Sequence, residues 1–143
     1  MILTQHTPGL KPWLASFGCS TLAAADLVGK EFEVGEMNDL YDEAIAASCF
    51  LFPETPQGAL IWGKFFSLLN AKYNTKLSYA GAVERDYIIG VGQEAINHYY
   101  ISLDFPDHFT RGDLSVPKHY DPSGTGNAWD HGILLNKRIV NLW

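Results

Sequence analysis

Cysteine is scarce in this chain of 143 residues, which holds only Cys19 and Cys49. A small secreted disulfide framework normally uses four or more, so this is not a disulfide scaffold, although a single Cys19–Cys49 bridge stays open. Basic residues are also few. Ten Lys and Arg stand against sixteen Asp and Glu, a net charge of -6. That balance excludes a sequence-independent grip on a nucleic-acid backbone, so nucleic acid is not an expected partner. No run is long and apolar enough to span a bilayer, so no membrane partner is expected either. Internal repeats, low-complexity tracts and linkers are missing too. One domain over residues 1–143 is the expectation, and it is long enough to bury a core.

What is present is apolar and aromatic. Hydrophobic residues make up 47%, including four Trp, seven Tyr and eight Phe, which suits a filled core or an aromatic-lined cleft. Pro8, Gly9 and Pro12 mark an extended N-terminal arm. After Gly18, "CSTLAAADLVG" reads as a helix from Cys19 or Ser20, closed by Gly29. Val34, Met37, Leu40, Tyr41, Ala44 and Ile45 recur at helical spacing and predict a second, amphipathic helix. Pro53 and Pro56 interrupt the chain. "QGALIWGKFFSLLNAKY" predicts a third helix, apolar on most faces and therefore central. Then the character changes. "KLSYAGAVE", "DYIIGVGQ", "HYYISLDF", "SVPKHYDP" and "KRIVNLW" are short runs rich in aromatic and β-branched residues, separated by turn residues. Helices first and strands after argue for an α+β fold, with N-terminal helices packed on an antiparallel β-sheet.

Several motifs carry little. "GVGQEA" (Gly90 to Ala95) has the GxGxxA spacing of a dinucleotide fingerprint, but no helix or βαβ unit follows it, so no cofactor is expected. "RGD" at Arg111 to Asp113 is a short coincidence. His6, His98, His108, His119 and His131 match no zinc spacing, and the cysteines form no CxxC pair, so no metal is expected. "LASFGC" has the look of a lipoprotein cleavage site. The preceding "MILTQHTPGLKPW" lacks a basic start and an unbroken apolar segment, which leaves a cytoplasmic location as the default expectation.

Cys19 stands apart. A glycine precedes it, a helix follows it, and histidines lie far downstream. A helix N-terminus presents unpaired N–H groups and a partial positive charge, and both favour a thiolate over a thiol. A histidine from another segment completes such a nucleophile by taking its proton. Set against this is the ordinary fate of cysteine, which is to pack in a core.

The order "FGCSTLAAADL", "NHYYISLDF", "HYDPSG" resembles the papain-like cysteine peptidase fold in its compact bacterial form, and within it the C39-like peptidases. The chain also resembles the uncharacterised spirochaete and phage family of the DUF261 type, with "GC" near the start, "YDP" late and a "KRI" strand near the end. The first resemblance implies Cys19 as nucleophile, His98 as general base opening a strand, and Asp121 as the residue that orients the imidazole. It also implies that the Cys19 main-chain N–H forms half of an oxyanion hole. Alternation along "HYYISLDF" would set His98, Tyr100, Ser102 and Asp104 on one face and Tyr99, Ile101, Leu103 and Phe105 on the core face. The family places a Gln a few residues before the cysteine as second oxyanion donor. Here that position is near Trp13, and Ser16 or Gln5 are the substitutes within reach.

A second register is available. "RGDLSVP…WDHGILL" resembles the NlpC/P60 peptidoglycan hydrolases and would make His131 the base. His98 is preferred because "HYDPSG" and the terminal strand then have roles, which leaves His108 and His119 as surface or loop residues. The implied function is a cysteine peptidase or amidase. It would cleave a peptide or amide bond through a thiol acyl-enzyme, with a peptide or peptidoglycan-like substrate. The alternative is a catalytically silent papain-like binding protein of phage or mobile-element origin.

Overall fold

Pro12 sits where a helix tolerates it best, in the first turn, and so starts a helix where the sequence suggested only an extended arm. In the computed structural model, which describes residues 1–51, 59–112 and 119–143, α1 runs Pro12–Phe17 and α2 Cys19–Asp26. Gly18 joins them. A Cβ there would lie 2.6 Å from the Leu14 carbonyl oxygen and 2.7 Å from its Cα, so only glycine lets the two helices meet this closely. Gly29 (φ 80°) stands in the left-handed region just beyond the end of α2. All eight residues of α2 are buried. Its three consecutive alanines, Ala23 to Ala25, let neighbouring backbone approach, which makes α2 the central helix.

The amphipathic α3 (Val34–Ala46) turns Met37, Leu40, Tyr41 and Ala44 inward, as its spacing predicts. In α4 (Trp62–Tyr73) only Phe65, Phe66 and Leu69 are buried. Gly63, Lys64, Ser67 and Lys72 face out, so α4 is a covering helix rather than the expected central one. Pro53 and Pro56 fall outside the described residues.

The sheet has four antiparallel strands in the order β1-β4-β2-β3: β1 (Ser78–Glu84), β2 (Gln93–Tyr100), β3 (His108–Gly112) and β4 (Ile133–Asn141). The α+β class and the antiparallel sheet therefore stand as read. Details of the strands differ. Most of "DYIIGVGQ" is a turn that delivers Gln93 to β2, with Gly92 at φ 77°. β2 starts five residues before His98, and its strand ends at Tyr100. The rest of "HYYISLDF" closes a turn through Ile101 N–H to the Phe105 carbonyl (3.1 Å) and Phe105 N–H to the Ser102 carbonyl (3.1 Å). Leu103 is therefore 90% exposed and Phe105 64%, not core residues as alternation implied. Of "SVPKHYDP", residues 115–118 lie outside the described set, and Tyr120 forms a single bridge to Arg111. A short α5 (Asn127–His131) precedes β4.

The main core lies between the helices and the inner sheet face, where Ile96 and Val140 meet Leu22, Phe65 and Phe66. A smaller cluster of Ile89, Ala95 and Ile139 caps the outer face. α2 packs along β3, and this contact positions the candidate site.

Candidate functional site

Cys19 is the first residue of α2 and His108 the first residue of β3. Asp121 follows Tyr120, whose backbone pairs with Arg111 one turn of strand further along β3. These three elements bring Cys19, His108 and Asp121 together. His108 Nε2–H donates to Asp121 Oδ1 at 2.6 Å, and both side chains are almost wholly buried. The Cys19 thiol lies beside the same imidazole, close enough to raise its pKa. Cys19 itself is buried, with 8% of its surface exposed. Neither cysteine is in a disulfide, which closes the question of a Cys19–Cys49 bridge in this state.

Asp121 is held by its own loop. Its Oδ1 accepts from Ser123 N–H (3.0 Å), and its Oδ2 accepts from Ser123 Oγ–H (2.9 Å) and Gly126 N–H (2.9 Å). This is why "DPSGTG" is rich in small and hydroxyl residues: the loop wraps a carboxylate. Burial by itself would raise the Asp121 pKa, but the His108 hydrogen bond and charge, with the Ser123 contacts, outweigh it and hold the carboxyl below its ordinary value. Burial likewise would lower His108. Hydrogen bonds to Asp121 and Cys19 and the charges on both overcome it and raise His108 to about 9. His108 is thus a cation at neutral pH, in contact with a thiol on one side and a carboxylate on the other.

A pH dependence of stability follows from these two shifts. His108 is raised from 6.5 to about 9, so its contribution is complete below pH 6.5 and is lost as pH rises through about 9. Asp121 is lowered from 3.8, so its contribution is complete above pH 3.8 and is lost as pH falls below that. We expect urea-unfolding stability to fall by on the order of 1–3 kcal/mol between about pH 6.5 and pH 9. A His108→Asn variant should show a distinctly shallower decline over that interval; an equal decline in the variant would remove His108 as its source.

The other sequence-derived candidates lie elsewhere. His98 is interior to β2 and pairs across the ladder with Phe109, not His108. Neighbouring strand residues face opposite ways, so the partner of Phe109 turns away from the partner of His108, which is Tyr99. His98 accordingly stacks on Phe109 (centroids 4.5 Å apart), places Nε2 2.6 Å from Asp107 Oδ1, and meets Asn136 Nδ2 through Nδ1. The geometry therefore joins Cys19 and Asp121 through His108 and leaves His98 outside. His131 is exposed at the end of α5 and does not form the alternative site. Sequence order favours His98 over His108 because "HYDPSG" and the terminal strand then have roles. The signal His108 does carry is its place at the head of "HFTRG", a strand whose alternate residues are buried.

Gln5 also belongs to this neighbourhood. Its main-chain N–H donates to the Pro122 carbonyl (2.7 Å), next to Asp121, and its side-chain Nε2 approaches the Leu14 carbonyl at 3.4 Å. Gly18 N–H already satisfies that carbonyl at 3.0 Å, so the Gln5 amide is weakly committed between the Asp121 loop and the helix junction before Cys19. Ser16, the other substitute, is exposed on α1. On the far side, Trp129 of α5 donates Nε1–H to Thr110 Oγ at 3.2 Å and roofs β3 next to the site.

Comparison with protein-family models, with curated proteins and with solved structures found no match. Among the described residues no group of three or more His, Cys, Asp and Glu is arranged to hold a metal ion, and no helix is long and apolar enough to cross a membrane. In "RGD", the Arg111 guanidinium is engaged by Glu94 and Asp26, and Asp113 falls outside the described residues. Cys49 is fully buried, and burial raises its thiol pKa, so it has none of the features of a nucleophile.

Proposed function

We propose that the chain is a cysteine peptidase or amidase of papain-like design, with Cys19 as nucleophile, His108 as acid–base and Asp121 as the residue that orients the imidazole. The observation that carries this reading is the unbroken chain of contacts Cys19–His108–Asp121, drawn from a helix start, a strand start and a loop. Nucleophile, base and orienting carboxylate in that order is the arrangement that activates a thiol for acyl transfer.

In this reading the attacking form is a Cys19 thiolate paired with imidazolium, with Asp121 fixing the ring. The thiolate attacks the carbonyl carbon of a peptide or amide. Negative charge collects on the carbonyl oxygen, where the first-turn N–H of Cys19 and the Gln5 amide donate to it. His108 gives its proton to the leaving amine, the C–N bond breaks, and an acyl-thioester remains on Cys19. His108, now neutral, takes a proton from water, which attacks the thioester and releases the acid. The resemblance to the C39-like and NlpC/P60 peptidases supports peptides or peptidoglycan-like peptides as the substrate class.

A peptide bearing an electrophilic carbonyl, such as an aldehyde or chloromethyl ketone, is expected to label Cys19 and leave Cys49 untouched in the folded protein. Cys19→Ala should abolish both labelling and any hydrolysis while retaining the native circular-dichroism spectrum. Equal labelling of the two cysteines, or none of Cys19, would favour the silent binding protein instead.

A further inference from the structure

We propose, resting on the reading of Cys19 and His108 as a working pair, that Arg111 is a positioning residue that holds α2 in register against β3 so that the thiol meets the imidazole. Arg111 lies three residues after His108 on β3, and Asp26 lies seven residues after Cys19 on α2. At strand and helix rises these spans are both ~10 Å. The two elements are therefore tied at two points a matching distance apart, at one end by Cys19 and His108 and at the other by Arg111 and Asp26.

The second tie is closely built. Arg111 Nη1–H donates to Asp26 Oδ2 at 2.9 Å, while Nε–H and Nη2–H donate to Glu94 at 2.7 and 2.5 Å in a two-pronged pairing. The three side chains are only 12%, 4% and 10% exposed. Asp26 Oδ1 takes a further ion pair from the Met1 amino group at 2.9 Å. Glu94 stands on β2, so the guanidinium fork joins the last turn of α2, the edge strand and its neighbour. A buried network of this kind adds little net stability over an apolar cluster, because desolvation offsets the attraction. What it adds is a single allowed geometry, since the planar fork satisfies both carboxylates in one register only. Beside this tie α2 carries Ala23 to Ala25, three buried residues with short side chains. A slip of one helical residue would move Cys19 by ~1.5 Å and turn it by about 100°.

The test compares iodoacetamide alkylation of Cys19 against pH in wild type, His108→Ala and Arg111→Lys, with buried Cys49 as an internal monitor of folding. Lysine keeps the charge and loses the fork. The expected result is that Cys49 stays protected in Arg111→Lys while Cys19 reacts at least about tenfold more slowly at neutral pH, with a pH profile approaching that of His108→Ala. Unchanged Cys19 kinetics with Cys49 protected would overturn the proposal. Should Cys49 become reactive in Arg111→Lys, the neutral set Arg111→Met, Asp26→Asn, Glu94→Gln decides. Slow Cys19 with protected Cys49 supports the positioning role, and wild-type kinetics or loss of Cys49 protection overturns it. A wild type no faster than His108→Ala would overturn the underlying pair itself, which distinguishes that failure from failure of the clamp alone.

Discussion

On the proposed reading, alanine in place of His108 is expected to cut hydrolysis by about two to four orders of magnitude, whereas alanine in place of His98 should change it by less than about twofold. The two histidines stand ten residues apart on neighbouring strands, and sequence order alone favours His98, which the fold sets apart from Cys19. His108 touches Cys19 and Asp121; His98 touches Asp107, Asn136 and Phe109. Removal of His108 deletes the cation beside the thiol and, on the proposed reading, the proton carrier. Removal of His98 costs a ring stack at the sheet surface. Mass-spectrometric alkylation of Cys19 gives the same contrast without a known substrate. Comparable losses in the two variants would break the link between geometry and reactivity.

Asp121→Ala carries the largest expected stability effect, about 3–5 kcal/mol, because one deletion orphans a buried cation and three loop donors. Asp121→Asn should be milder. Its amide oxygen can still accept, so part of the loop survives, but the counter-charge is gone. Loss of that charge should lower the His108 pKa from about 9, visible by NMR as a titration midpoint of the ring protons moved to lower pH. Reactivity of Cys19 at neutral pH should fall with it. Chemical denaturation of both variants beside wild type separates the two effects: Ala loses stability and reactivity, Asn chiefly reactivity. An Asn variant with an unaltered His108 titration would remove Asp121 from the site.

Sequence by itself determined the composition-level facts and the local ones. Helical spacing in α3, the close-packed glycine at 18, the alanine run of α2 and the β-branched last strand are written in neighbouring residues, where propensity and periodicity act. The same is true of Cys19 at a helix start and of Asp121 in a loop of small polar residues. Pro12 misled because proline breaks a helix inside but suits its first turn. Only the tertiary structure decided which histidine meets Cys19 and Asp121. That depends on where β2 begins, since strand register sets which side chains share a face. Gln93 anchors that beginning through its own amide to Asn141, a residue 48 positions away. The clamp of Arg111 on Asp26 and Glu94 is likewise invisible in one dimension, because 85 residues separate Arg111 from Asp26. Contacts of that reach are fixed by how the sheet pairs and how a helix lies on it, and no local pattern of residues encodes them.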